Sequence, residues 1–376
     1  MPADSMDRQS GSRLGQVTVS IATEADRDAW ETYVAQGSDD KDQPPSLEVQ
    51  SSKFKVGSVS GYHGWAWRQV FTQTFGHECV YLAARLNNRG RIYGVLPLVL
   101  IKSWLFGRTL TSLPFVNYGG VVGDSEPVAR ALLDAAADVA KTRNARHVEL
   151  RHTDRVFEDL PCKQHKVSMR LPLQAGMWEV IDRKVRNQIR KAEKSGLTVE
   201  RGGAELVGDF YTVFTRNMRD LGTPVYSRAL FDNVLRAFPD RARILVVRLA
   251  GAPIAAGLTF RTGTMVEVPW ASSIREHNNL CPNHLLYWHV IESAVADGAE
   301  ILDFGRSTPN EGTFKFKEQW GAVPVALHWE YSLGRPGGLP DQSPKNPKFR
   351  LMIEAWKRCP LWLANAVGPH IVRWIP

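Results

Sequence analysis

The chain has 376 residues, 43% hydrophobic and 23% charged, a balance that excludes a wholly disordered or fibrous protein and supplies apolar surface for two cores. Its 47 Lys and Arg against 39 Asp and Glu give a formal charge of +8, which favours anionic partners such as phosphates, nucleic acid or lipid headgroups without choosing among them.

In chain order, residues 1–60 read as a partly disordered N-terminal segment with the first elements. Met1–Gln16 is polar and small, and Ser38–Ser52 is charged and proline-containing, so neither buries enough apolar surface to order itself. A first unit follows over 61–175. Apolar periodicity predicts a helix at His63–Phe75, strands at Cys79–Leu86, Ile92–Ile101 and Leu110–Val122, a helix at Pro127–Arg143, and strands at Arg146–His152 and Lys166–Leu173. The second unit, 176–334, opens on the basic segment Ile181–Gly196. It continues with helices at Ala204–Arg219 and Ser227–Ala237, strands at Ala242–Leu249, Pro253–Phe260 and Thr264–Ser272, a helix at Asn283–Asp297, and strands at Glu300–Phe304 and Val323–Leu333. Matching helices start 283 − 127 = 156 residues apart and the strands after them 300 − 146 = 154, so one α/β unit occurs twice. Ala250-Gly251 predicts a tight hairpin, which makes the sheets mixed; Asn283 is the expected N-cap of its helix and Gly298 its stop. By analogy of topology alone, the order of elements resembles that of the acetyltransferase-like (GNAT) unit. The expected fold is therefore α/β (α+β), two tandem GNAT-like domains with mixed sheets flanked by helices.

Residues 335–376 read as a linker and an amphipathic tail. From Lys348 to Pro376 five basic residues stand against one acidic, with Trp356, Trp362 and Trp374 among leucines and isoleucines. Such a helix lies in a bilayer interface or packs on the protein's own surface. The longest apolar run, Val95–Ile101, is too short to span a bilayer, and Met1–Arg13 has no apolar segment of a signal peptide. The four cysteines, at 79, 162, 281 and 359, have no metal or disulfide spacing. A cytoplasmic protein without metal, peripheral at most to the inner face of the membrane, is expected.

Chemistry concentrates in Asp303–Ala322, DFGRSTPNEGTFKFKEQWGA. Strand alternation puts Ile301 and Asp303 on one face, where Asp303 either caps the loop or belongs to a ligand site, with Arg306 beside it to satisfy the carboxylate. Gly305 and Gly312 allow close backbone approach. An extended TFKFK would present Lys315 and Lys317 together, with Phe314 and Phe316 behind. A lysine in a partly desolvated cleft binds phosphate or stabilises the oxyanion formed when an amine attacks an ester or thioester; the alternative is an edge strand with solvated lysines. The Ile181–Gly196 segment carries an apolar stripe, Ile181, Val185 and Ile189, among Arg186, Arg190, Lys191 and other cations. It is a solvated connector or a phosphate grip at the mouth of an interdomain cleft. Of the coenzyme A pyrophosphate signature there are only near misses, at Arg91 and Arg248, and no Ser-His-Asp or Cys-His set supports a covalent acyl-enzyme.

Together RKVRNQIRKAEKSGLTVE, CPNHLLYWHVIESAVADGAEILDFGRS and GTFKFKEQWGA resemble the Fem-type (FemAB-like) peptidoglycan-bridge acyltransferases, and the linker and the GPHIVRWIP ending look like the subgroup that accompanies the exosortase/PEP-CTERM system of exopolysaccharide producers. The resemblance covers roughly residues 61–376 and implies two GNAT-like domains and transfer of an aminoacyl or acyl group to an amine of a peptidoglycan or exopolysaccharide precursor. It implies that Lys317 steadies the donor or the tetrahedral intermediate, with Lys315 nearby; in such a reaction Asp303 or Glu318, or else a substrate phosphate, is expected to take the amine proton. Phe316, Trp320, Asn283 and Arg306 would contact substrate, and Arg186, Arg190 and Lys191 the phosphates of the precursor. No cofactor is implied beyond the donor, aminoacyl-tRNA or acyl-CoA; the chain lacks the coiled-coil insertion that some members use near tRNA. Two rivals stand beside this reading: an acyl-CoA-dependent N-acyltransferase on an amino sugar, and a non-catalytic scaffold holding polysaccharide export machinery at the membrane through the tail.

Overall fold

A computed structural model describes residues 17–38, 56–86, 90–103, 107–334, 339 and 347–375. The tail at 1–16, most of the polar loop at 38–52 and most of the linker after 334 lie outside these residues. The strands are β1 (Val17–Ile21), β2 (Glu78–Leu86), β3 (Gly94–Ser103), β4 (Gly107–Thr111), β5 (Val122–Gly123), β6 (His147–His152), β7 (Cys162–Lys163), β8 (Val167–Pro172), β9 (Leu197–Gly202), β10 (Ala242–Leu249), β11 (Ala252–Thr262), β12 (Met265–Ser273), β13 (Ile301–Ser307), β14 (Val323–Ala326) and β15 (His328–Leu333). The α-helices are α1 (Arg27–Ser38), α2 (Ala66–Phe75), α3 (Glu126–Thr142), α4 (Met177–Val180), α5 (Arg183–Lys194), α6 (Val207–Leu221), α7 (Arg228–Ala237), α8 (Pro282–Ala296), α9 (Gly312–Glu318), α10 (Pro347–Lys357) and α11 (Leu361–Val372).

They build two mixed sheets, ordered β1-β2-β3-β4-β6-β15-β7, with β5 on β3, and β14-β8-β13-β12-β11-β10-β9. Within each sheet one pair is parallel, β4 with β6 and β12 with β13, and that pair encloses a crossover helix, α3 or α8. The sheets exchange strands. β8, on the N-terminal side of residue 176, is hydrogen-bonded between β13 and β14 in the second sheet, while β15, near the end of the second repeat, joins β6 in the first. The apolar run Val323–Leu333, expected as one strand, is two, separated at the buried Leu327.

An apolar core joins the two units. Trp67, Phe71 and Phe75 of α2 pack with Phe231 and Phe238 of the second unit, Trp67 lying 5.0 Å from Phe238 and 5.4 Å from Phe260 between ring centroids. A second core lies on the other face of the second sheet, where α5 and α8 cover Leu302 and Phe304. The stripe Ile181, Val185 and Ile189 is fully buried there, and Asp182 caps α5, its Oδ1 accepting the Lys184 N–H at 2.6 Å.

Three local expectations change. Leu110–Val122 is not one strand: β4 ends at Thr111 and an irregular loop follows, in which Pro114 donates no hydrogen bond and Leu113 (φ 51°) and Phe115 (φ 72°) are left-handed. The TFKFK stretch is not extended but forms α9, so Lys315 and Lys317 point apart: Phe314 and Lys317, three residues apart, are buried while Lys315 is exposed. Asn283 is not the cap of α8, which starts at Pro282 after Cys281; its amide Nδ2 instead donates to Ser273 Oγ at 2.9 Å. Ala250 (φ 48°) and Gly251 (φ 84°) form the expected hairpin turn, and Gly298 (φ 76°) ends α8.

Candidate active site

The site forms where the parallel pair β12/β13 meets the loop after β4. Glu267 and Asp303 are register partners across that pair and, being adjacent to core residues on the opposite face, turn toward the first unit. Opposite β8 the ladder slips between Asp303 and Arg306, because Gly305 (φ 77°) inserts a β-bulge. Three residues of β13 there oppose two of β8, which returns Arg306 to the face that carries Asp303. A bulge strands carbonyls, and Lys317 collects them: its Nζ donates to Gly305 O and Arg306 O, both at 2.9 Å. α9 is thereby fixed against β13.

Lys317 is 7% exposed. Burial pulls its ammonium down to about 8, Asp303 opposing that shift and Arg306 adding to it. Two of its three N–H groups are used on the bulge carbonyls; among the described residues the third meets no acceptor. Asp303 is fully buried and its lone pairs are filled. Oδ1 accepts from Ser168 Oγ at 2.5 Å and Gly305 N at 2.7 Å, and Oδ2 from Tyr118 OH and Arg170 Nε, both at 3.3 Å. Burial disfavours charge on Arg170, but Asp303 and Tyr118 more than offset this and hold it charged.

The first unit supplies Asn117 and Tyr118. Asn117 Nδ2 donates to Glu267 Oε1, and the Tyr118 hydroxyl sits 3.2 Å from Glu267 Oε2 and 3.3 Å from Asp303 Oδ2. Burial, followed by the Asp303 charge, pushes the Glu267 carboxyl up to about 8, against the hydrogen bonds that it accepts. Of the two carboxyls, Glu267 is the one pushed toward its neutral form. Tyr62, 1% exposed and 5.6 Å from the Tyr118 ring, turns its hydroxyl to the same carboxyl, and burial, followed by the Glu267 charge, holds it protonated.

Arg306 does not neutralise Asp303, contrary to the sequence-based expectation; Arg170 does. The Arg306 guanidinium is half-buried beside the Trp329 ring, 5.8 Å from its centroid, and has no ion pair among the described residues. Burial, and then the neighbouring Arg151, lower it to about 10, with Tyr226 and Tyr62 on the other side of the balance. Arg151 is itself occupied, pairing with Glu149 at 2.7 Å and lying 4.3 Å from the Trp329 centroid. An unneutralised guanidinium beside aromatic rings is suited to a carboxylate or phosphate.

Of the other expected residues, Glu318 and Lys315 are exposed on α9 and outside this cluster. Phe316 and Trp320 belong to an aromatic group beneath α9, with Trp320 6.3 Å from both Phe304 and Phe316. Arg186, Arg190 and Lys191 lie on the opposite face of the second sheet: Arg186 pairs with Glu179 at 3.0 Å, Arg190 covers Trp178 at 5.2 Å, and Lys191 is exposed. The structure therefore brings together Lys317, Asp303 and Arg306, and adds Glu267, Arg170, Asn117 and Tyr118.

The arrangement of both sheets is that of two GNAT units in series. The fold is a twin-GNAT fold. A family model for the acetyltransferase (GNAT) domain matches residues 181–318, a span that holds Glu267, Asp303, Arg306 and Lys317. Among solved structures the chain is similar to FemX, with 16% identity and a TM-score of 0.59 over 89% of this chain and all of the other. It is also similar to a tandem GNAT protein from the clavulanic acid biosynthesis pathway (10% identity, TM-score 0.52, 86% of this chain and 100% of that one). A conserved protein of unknown function from Bacteroides thetaiotaomicron gives 10% identity and a TM-score of 0.53 over 85% of this chain and 100% of that one. No curated protein sequence matches the chain.

Proposed function

We propose that this protein is an N-acyltransferase of Fem type that moves an aminoacyl or acyl group onto an amine of a cell-envelope precursor, peptidoglycan or exopolysaccharide, as the resemblance to the exosortase-associated subgroup suggests. The observation that carries the reading is the Lys317 ammonium, buried on a β-bulge with one hydrogen left for a ligand and a free guanidinium, Arg306, on the same strand. In this reading the acceptor amine attacks the donor carbonyl carbon. As the C=O π bond opens, negative charge collects on oxygen, and the third N–H of Lys317 points at it from a water-poor site where such a bond is strongest. The intermediate then collapses: the bond from carbon to the donor's ester oxygen or thioester sulfur breaks and the amide remains. Asp303, its lone pairs already taken, holds Arg170 and the Gly305 N–H of the bulge in place and does not accept the amine proton. That proton goes to a substrate phosphate and on to the leaving group. Arg306 anchors the anionic group of the substrate.

Incubating the purified protein with acyl-CoA and, separately, with charged tRNA, each with an amine-bearing nucleotide-linked precursor, tests this by mass spectrometry of the products. An amide formed with one donor, and lost in Lys317→Met, is the expected result. No amide with either donor, or an undiminished yield in the variant, contradicts it.

A further inference from the structure

Four of the eight large apolar side chains exposed among the described residues fall in the last 26 positions: Leu351 (79% exposed), Met352 (62%), Trp362 (71%) and Val367 (38%). The tail that carries them is firmly seated. Arg219 Nη1 donates to Cys359 O at 3.1 Å, His77 Nε2 lies 2.8 Å from Arg373 O, and Ile353 packs on Gly222. α11 is seated the wrong way round for an ordinary surface helix. Its inward face is small, with Ala364, Gly368 and Val372 buried, and a Cβ at Gly368 would come within 2.9 Å of Val225 N. Trp362, Ala366 and Val367 are left facing out, and α11 has no Asp, Glu, Lys or Arg anywhere from Leu361 to Val372. A water-facing helix normally turns its large apolar groups inward.

We propose that the outer face of α10 and α11 docks on an anionic bilayer surface, with Trp362, Leu351 and Met352 entering the interface. Charge selects this occupant. From residue 347 to 375 the sequence has Lys348, Arg350, Lys357, Arg358 and Arg373 against Glu354, a net of 5 − 1 = +4. Glu354 is already paired, to Lys357 at 2.7 Å. Two copies meeting through this face would set two such tails against each other, whereas anionic headgroups neutralise them. No helix among the described residues is long and apolar enough to cross a membrane, so the pair lies in the plane of the interface.

Co-sedimentation of the full chain with phosphatidylglycerol-rich vesicles and with pure phosphatidylcholine vesicles tests this. Wild type is expected to bind the anionic vesicles more tightly. The double variant Trp362→Ser, Leu351→Ser should lose at least about tenfold in binding without lowering the thermal midpoint, since both side chains are exposed. Lys357→Glu with Arg358→Glu should abolish the preference for anionic lipid. Absence of vesicle binding, binding that ignores both variants, or equal binding to the two lipids overturns the proposal. So does sedimentation velocity showing a dimer that Trp362→Ser dissociates, which would assign the face to a second copy.

Discussion

Replacing Lys317 by Met keeps the length of the side chain and removes its charge, and the structure sets two opposing consequences. The ammonium titrates near 8 in the fold and near 10.5 in the unfolded chain, a gap of 10.5 − 8 = 2.5. At about 1.4 kcal/mol per pH unit this is about 3 kcal/mol. Because the folded value is the lower one, the stability from this group is present above about 10.5 and lost as pH falls through about 8. Met escapes that penalty at neutral pH, but leaves Gly305 O and Arg306 O without their donor, at about 1–3 kcal/mol each and independent of pH. Near pH 7 the wild type and the variant should therefore differ by only a few kcal/mol. From pH 7.5 to 10.5 the wild type should gain about 3 kcal/mol over Lys317→Met. Urea unfolding across this range reads the difference directly. Parallel stability curves, or a gain for the variant, would refute the claim that this cation is buried.

Glu267→Gln should do the reverse. The folded carboxyl titrates above its unfolded value, so the wild type loses stability as pH climbs from about 4.5 to about 8 while the variant does not; urea midpoints that track each other would contradict this. Asp303→Asn leaves Arg170 facing no charge and should lower unfolding free energy by about 3 kcal/mol, against less than about 0.5 kcal/mol for the exposed Glu318→Gln control. Gly120→Ala puts a Cβ 1.8 Å from His152 Cδ2, so a thermal midpoint within experimental error of wild type would show the loop to be looser than described; a loss of at least about 2 kcal/mol is expected.

The repeated α/β order, the mixed sheets and the buried stripe of α5 were legible because apolar period and turn residues are local signals. What escaped is non-local. Nothing in Lys166–Leu173 says that it pairs with β13, and nothing in Val323–Leu333 says that the chain leaves one sheet for the other at Leu327. The loop 112–121 reads as strand because Leu113, Phe115, Val116 and Val121 are apolar, yet Pro114 and Gly119-Gly120 were available signals of a turn. Those turn signals flank the stretch that holds Asn117 and Tyr118. Glu267, a lone acid in the apolar strand MVEVPW, is a second signal of the site, since a strand buried on both faces tolerates a carboxyl only where partners meet it. Lys317 was found for its type and neighbours, but through an extended geometry that α9 replaces; a seven-residue helix after Gly312 has too little periodicity to separate from a strand. The exchange of Arg306 for Arg170 as the partner of Asp303 depends on the bulge at Gly305, which only the paired strand reveals.

In the proposed reaction the remaining hydrogen of Lys317 meets the carbonyl oxygen of the donor as it becomes negative. Steady-state turnover of the donor that forms amide, compared between wild type and Lys317→Met, tests it most directly. The prediction is a fall in kcat of about 10²–10³-fold with KM changed only a few-fold, as for loss of one oxyanion donor. An unchanged kcat with a raised KM would contradict it, and would leave Lys317 as a brace for the bulge.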